Sequence, residues 1–162
     1  MRKYGILLAA GFLVFILQTT FSQVISIRGW SPDFLVILIF VVSLRYNSTL
    51  SLLFAFFMGI LQDIFITDFY GISAFSNVIA AYAALLFREN NITTGVFTLG
   101  LLVISLVKHT IFYFLLTVGS QFEFWLFFYQ TVLPQSVYTL FIGVLIFFVF
   151  KNSILKELEN EL

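Results

Sequence analysis

No cysteine occurs among the 162 residues, which excludes disulfides and thiolate metal sites, and one histidine cannot build a zinc site alone. Proline is nearly missing, with two residues, so a proline inside a helix is a local event and not a habit of the chain. Charge is scarce as well: 10% of residues are charged, the formal net charge is zero, and no basic block offers a nucleic acid anything to bind. What fills the chain instead is hydrocarbon. Hydrophobic residues make up 61% and the mean hydropathy is +1.08, more apolar surface than a water-soluble fold of this size can hide. Lipid has to be part of the solvent. The 23 phenylalanines fit lipid-facing and interhelical filler, with an aromatic-lined cavity as the sharper alternative.

These features predict an all-α membrane protein, a single integral domain over 1–162 with about six transmembrane helices of roughly 20 residues each. Hydropathy and breaker residues place the helices at about 4–27, 32–45, 49–65, 71–87, 95–118 and 124–150, followed by a charged tail at 151–162. The stretch Gly5 to Leu17 has the look of a signal-peptide core, but Thr20-Phe21-Ser22 is a poor cleavage site, and the segment reads as an anchor. In Ser31-Pro32-Asp33, Ser31 is placed to cap helix two, with Pro32 and Asp33 in its first turn. That helix is too short to cross squarely, so it lies in thinned bilayer or is partly re-entrant. Pro134 falls inside helix six, where a kink is expected and the carbonyl it frees must find another partner. Arg2, Lys3, Arg45, Arg88, Lys151 and Lys156 fall on one side of this topology and Arg28 on the other, which puts both termini in the cytoplasm. The sequons at Asn47 and Asn91 then lie on the cytoplasmic side, where no glycan is added.

Small residues recur at helical spacing as Ser51, Ala55 and Gly59 on helix three and Ser76, Ala80 and Ala84 on helix four, which predicts close packing of those two helices. Asp63 continues the same face. A carboxylate within a span is costly unless paired, and Lys108 counts to a similar depth, so the two are a candidate intramembrane ion pair with Gln62 and His109 nearby; the alternative is that Asp63 reaches headgroup water while Lys108 snorkels outward. Gln18, Ser22 and Ser26 form a polar stripe on helix one. Asp63, Lys108, His109 and Glu123 are scattered over the chain, with no nucleophile motif, phosphate loop or metal spacing beside them. The expectation is a protein that is not an enzyme and carries no cofactor or metal.

Ser31-Pro32-Asp33-Phe34, the short apolar helix closed by Arg45, Gly59-Ile60-Leu61-Gln62-Asp63, and Tyr70-Gly71-Ile72-Ser73-Ala74-Phe75 together resemble the bacterial rod shape-determining protein MreD family. The positions that fall on the family pattern are Pro32, Asp33, Gly59, Gln62, Asp63 and Gly71. The resemblance implies a non-enzymatic scaffold subunit of the machinery that inserts lateral peptidoglycan. Such a subunit would bind the single-span periplasmic protein MreC and connect through it to MreB filaments and a glycosyltransferase/transpeptidase pair. The family is in turn similar to the substrate-binding subunits of energy-coupling-factor transporters, so the alternative is a solute-binding subunit for a vitamin. Fold likeness does not decide between them. In the scaffold reading a partner helix lies in a groove within the membrane, and Gln18, Ser22, Gln130 and Gln135 are the candidate partner-facing polar residues.

Overall fold

The computed structural model describes residues 2–65, 71–88, 93–118 and 123–159, and among these every regular element is a helix. The connection 66–70, Asn91 and Ile92 of the second sequon, and 160–162 lie outside the described residues. Helices α1 (Arg2–Val24), α3 (Ser48–Phe65) and α5 (Thr94–Thr117) are each long and apolar enough to cross a membrane. So is the last rod, 124–149, within which α6 (Phe124–Phe127), a π-helical segment (Phe128–Val132) and α7 (Leu133–Glu159) follow one another. The protein is therefore a multi-pass membrane protein. Helices α2 (Phe34–Arg45) and α4 (Ile72–Leu85) have 12 and 14 residues. At 1.5 Å per residue they span roughly 18 and 21 Å, short of a hydrocarbon core of about 30 Å. Helix two is short, as its sequence requires, and helix four is short as well, so four helices long enough to span stand with two short ones.

Helix α2 is apolar on every side because it is the core. It touches α1, α3, α4, α5 and α7, and Leu35, Val36, Ile39 and Phe40 are all but inaccessible. A helix that is hydrophobic all round has to be surrounded by protein or lipid, and here it is protein. One cluster joins Val36, Phe40 and Leu44 to Ala80 and Ala84 of α4, Phe97 and Leu101 of α5 and Phe147 of α7. Within it Phe97 stacks on Phe147 at 4.1 Å between ring centroids. The second cluster joins Leu35, Ile39 and Val42 to Leu7 and Phe15 of α1 and Phe54, Ala55 and Met58 of α3. The outer helices run α1, α3, α4, α5, α7 around this axis; among the described residues the backbones of α1 and α7 do not approach each other, and the Tyr138 hydroxyl of α7 donates to the Ile25 carbonyl just past α1 at 2.8 Å.

The contact between α3 and α4 is the most extensive in the bundle, as the small residues require. Gly59 is where the two backbones meet: a Cβ there would lie 2.3 Å from the Ala74 Cα. Ser51, Ala55, Ser76, Ala80 and Ala84 are all buried. Their partners are not simply one another, since Ala80 and Ala84 turn to α2, α5 and α7 while Ala81 joins Ala55 in the second cluster. The Ser51 hydroxyl has its single hydrogen within reach of two carbonyls, that of Val42 in the last turn of α2 at 3.2 Å and that of Asn47 ahead of α3 at 3.1 Å.

Pro134 has no N–H for the carbonyl of Gln130, and the rod answers with the π-helical segment, in which the Leu133 N–H reaches back to the Phe128 carbonyl. The freed Gln130 carbonyl accepts from the Trp30 indole at 2.7 Å. Trp30 is aimed there by a tight turn, Ile27 to Trp30, whose central residues Arg28 and Gly29 both have positive φ.

Two consequences can be measured. Gly59→Ala should destabilise the protein by about 1–3 kcal/mol or more through backbone overpacking, while Gly5→Ala, where a Cβ meets nothing within 4 Å, changes little. Thermal unfolding in mild detergent reads both. Trp30→Phe should cost about 1 kcal/mol by leaving a carbonyl without its donor. In a Pro134→Ala background, where residue 134 regains an N–H, that cost should shrink, and a double-mutant cycle on the same unfolding curves measures by how much.

Candidate functional site

The site forms where α2 begins. Asp33, and not Ser31, is the N-cap: its Oδ1 accepts from the Val36 N–H at 3.1 Å, and Pro32 stands just outside the helix. The Asp33 N–H donates to Thr139 Oγ1 of α7 at 3.0 Å. Gln18 of α1 holds the next stretch of backbone with both ends of its amide, Oε1 accepting from the Phe34 N–H at 2.7 Å and Nε2 donating to the Pro32 carbonyl at 3.3 Å. A helix that starts inside the membrane has no water for its first N–H groups, and these side chains from α1, α2 and α7 take that role.

The second oxygen of Asp33 carries the charge pairing. Lys108 of α5 donates its ammonium to Oδ2, and His109 Nε2 stands 3.6 Å from the same oxygen. All three residues are at least 95% buried. His109 Nδ1 lies 3.3 and 3.2 Å from the hydroxyls of Ser105 and Ser136; with one of them donating to it, the ring carries its proton on Nε2, which faces the carboxylate without reaching hydrogen-bond distance. The geometry places a carboxylate, an ammonium and an imidazole together with balanced charge.

This arrangement corrects the expected Asp63–Lys108 pair. Asp63 is spent on α4: Oδ1 accepts from the Ser73 N–H at 2.8 Å, and Oδ2 accepts from Gly71 and Ala74 at 2.9 and 3.1 Å. Gly71 opens α4 with φ +95° and no side chain to cap with, so the cap comes from the neighbouring helix, where the carboxylate also complements the positive helix end. Gly59 sits one turn earlier on the same face and permits the approach. Gln62 beside them accepts from Asn77 Nδ2 at 2.7 Å. Lys108 therefore finds its counter-ion on α2, at a depth set by how far that short helix is sunk in the bundle. The signal available in the sequence was the glycine at the head of helix four, a helix start that needs an outside acceptor.

Two of the four candidate partner-facing residues turn inward. Gln18 and Ser22 are buried, the first holding the α2 start and the second donating to the Gln18 carbonyl. Gln135 accepts from the Tyr113 hydroxyl at 3.1 Å. Of the four, Gln130 is exposed. Tyr113, Thr139 and Ser136 complete the site and escaped notice, being ordinary residues whose role depends on which faces of α5 and α7 meet.

Because α2 starts low, the long helices enclose a space above it, a cavity of about 520 Å³. Asp33, Lys108, Gln18, Gln62, Gln135 and Tyr113 are among the residues that line it. Among the described residues no group of three or more His, Asp or Glu side chains is arranged to hold a metal ion.

The sequence profile of the family described as rod shape-determining protein MreD matches residues 2–155. The chain belongs to the MreD family. Comparison with curated proteins and with solved structures found no match. As an MreD-family chain it is a rod shape-determining membrane protein, and the residues that carried the resemblance are those that close the starts of α2 and α4: Pro32 and Asp33 at the first, Gly59, Gln62, Asp63 and Gly71 at the second.

Removing one member of a buried pair strands the other, at about 3–5 kcal/mol. Lys108→Leu should therefore destabilise the protein by that order. Adding Asp33→Asn should recover much of the loss, because asparagine still caps α2 and no charge is left alone. Exchanging Asp63 and Lys108 should give no recovery over either single reversal, since Asp63 serves backbone N–H groups. Unfolding midpoints of the set in one detergent decide all three.

Proposed function

We propose that this chain is a non-enzymatic scaffold of the bacterial cell-elongation complex, one membrane domain in the cytoplasmic membrane with both termini in the cytoplasm. Its partner is a single-span, MreC-like periplasmic protein, through which it is tied to MreB filaments and to the glycosyltransferase/transpeptidase pair that builds lateral peptidoglycan. The observation that carries this reading is the family match over almost the whole chain. The seam between α1 and α7 supports a place for the partner's helix. Its floor is the one accessible face of α2, where Phe34, Leu38, Val41 and Arg45 recur at helical spacing and are half-buried while their neighbours are buried. Phe34 and Val41 lean on the α5 and α7 side and Leu38 on the α1 and α3 side, so this face lies along the division between the two clusters. An apolar strip of roughly 10 Å from Phe34 to Val41, closed by Arg45, suits a helix laid into a groove, with packing and not polar contacts supplying most of the affinity.

The cavity above α2 favours a second reading, the solute-binding subunit of an energy-coupling-factor type transporter, because a space lined by convergent polar groups is what such a subunit needs. One experiment separates them: a mild-detergent pull-down of the tagged protein from its native membranes, with retained partners identified by mass spectrometry. The scaffold reading expects a single-span coiled-coil periplasmic protein, with recovery reduced by Leu38→Trp or Val41→Trp and unchanged by Phe57→Trp on the lipid-exposed side of α3. Recovery of cytoplasmic ATPase subunits with a coupling membrane protein would replace it by the transporter reading.

A further inference from the structure

Where the turn after α1 is fastened to the last rod by the Trp30 indole, a second and separate pocket of about 660 Å³ opens, walled by Arg28 and Trp30 of the turn and by Tyr129, Gln130 and Thr131 of the π-helical segment. It lies at an end of the bundle. The apolar stretch of α1 closes at Ser22, shortly before Arg28, and the last rod enters at Phe124. Both tryptophans of the chain, Trp30 and Trp125, stand at this end, and Trp125 and Tyr129 are exposed, as side chains at a membrane–water interface are. Arg28 is the one charged residue that lines the pocket, and among the described residues it has no carboxylate partner. Its backbone is strained, with φ +54° at Arg28 and +87° at Gly29. A turn with both central residues at positive φ is ordinarily built from Asn-Gly or Gly-Gly, so the turn gains nothing from arginine, while the pocket gains a cation.

We infer that this pocket holds the headgroup of one anionic phospholipid, its phosphodiester on the Arg28 guanidinium, with the Gln130 amide and the Thr131 hydroxyl lining the space beside it. A guanidinium presents two parallel N–H groups that match a pair of phosphate oxygens. A zwitterionic headgroup brings an ammonium of its own, and no carboxylate lines the pocket to receive it, whereas a headgroup with net negative charge is matched by Arg28 alone. The acyl chains have a surface to follow. From Pro134, which also lines the pocket, the exposed side chains of Val137, Phe141 and Leu145 continue at helical spacing down one face of α7. That apolar stripe favours a lipid over a soluble phosphate, which would use the cation and leave the stripe untouched.

The test follows thermal unfolding of the full chain in mild detergent with added phosphatidylglycerol, phosphatidylethanolamine or glycerol 3-phosphate, and counts retained lipid by native mass spectrometry. Phosphatidylglycerol should raise the midpoint saturably and be retained as one molecule per chain. Phosphatidylethanolamine should raise it clearly less, and glycerol 3-phosphate at the same concentration not at all. Arg28→Gly relieves the positive φ, so without lipid its midpoint should equal or exceed that of the unaltered chain, while its affinity for phosphatidylglycerol falls about tenfold with the loss of a charge-assisted pair. Arg88→Gln, at an exposed arginine outside the pocket, should leave that affinity unchanged. Equal shifts from the two lipids, a phosphatidylglycerol affinity that survives Arg28→Gly, or a shift from glycerol 3-phosphate as large as that from the lipid would each overturn the inference. The readout involves no partner protein, so its failure leaves the scaffold proposal where the pull-down puts it.

Discussion

Inside a membrane the end of a helix has no water to turn to, and a helix too short to reach the surface must have its terminal N–H and C=O groups met by other parts of the chain. The structure depends on this constraint. Asp33, Gln18 and Thr139 meet the start of α2, Ser51 meets its end, Asp63 meets the start of α4, and Trp30 meets the carbonyl that Pro134 abandons. The bundle is held in register less by polar attraction between helices than by the need to finish two short ones.

The ion pair follows from the same geometry. A carboxylate is a good cap for a sunken helix start, but it brings a charge to a place where charge is expensive, and Lys108 offsets it. His109 stands beside the pair, its Nδ1 within reach of the Ser105 and Ser136 hydroxyls and its Nε2 3.6 Å from the same carboxylate. The cavity is the volume left above a helix that stops short, lined with polar groups because those groups are the ones that close the helix.

Much of the fold was legible as hydropathy: the four long spans and both short helices are continuous apolar runs between breakers, and composition alone called for lipid. The need of Gln130 for an outside donor was legible from Pro134, though not that Trp30 would be the donor, since that depends on a turn one hundred residues away in sequence. The pairing of Lys108 was not legible. Asp33 and Asp63 are both carboxylates beside helix starts, and choosing between them requires knowing that Gly71 takes one of them and how deep α2 is sunk. The polar stripe of α1 was found but assigned outward, because a sequence shows that a face is polar and not whether the bundle already contains what that face needs.

The providers that complete α2 come from segments made before it and after it. Gln18 precedes it in the chain, but Ser51, Lys108 and Thr139 are synthesised later, and Thr139 belongs to the last rod. A helix of 12 residues whose charge, and part of whose start, are satisfied by later segments lacks some of its partners while the chain is still being made. The core of this protein is therefore complete only when α5 and α7 are in place to receive the central helix.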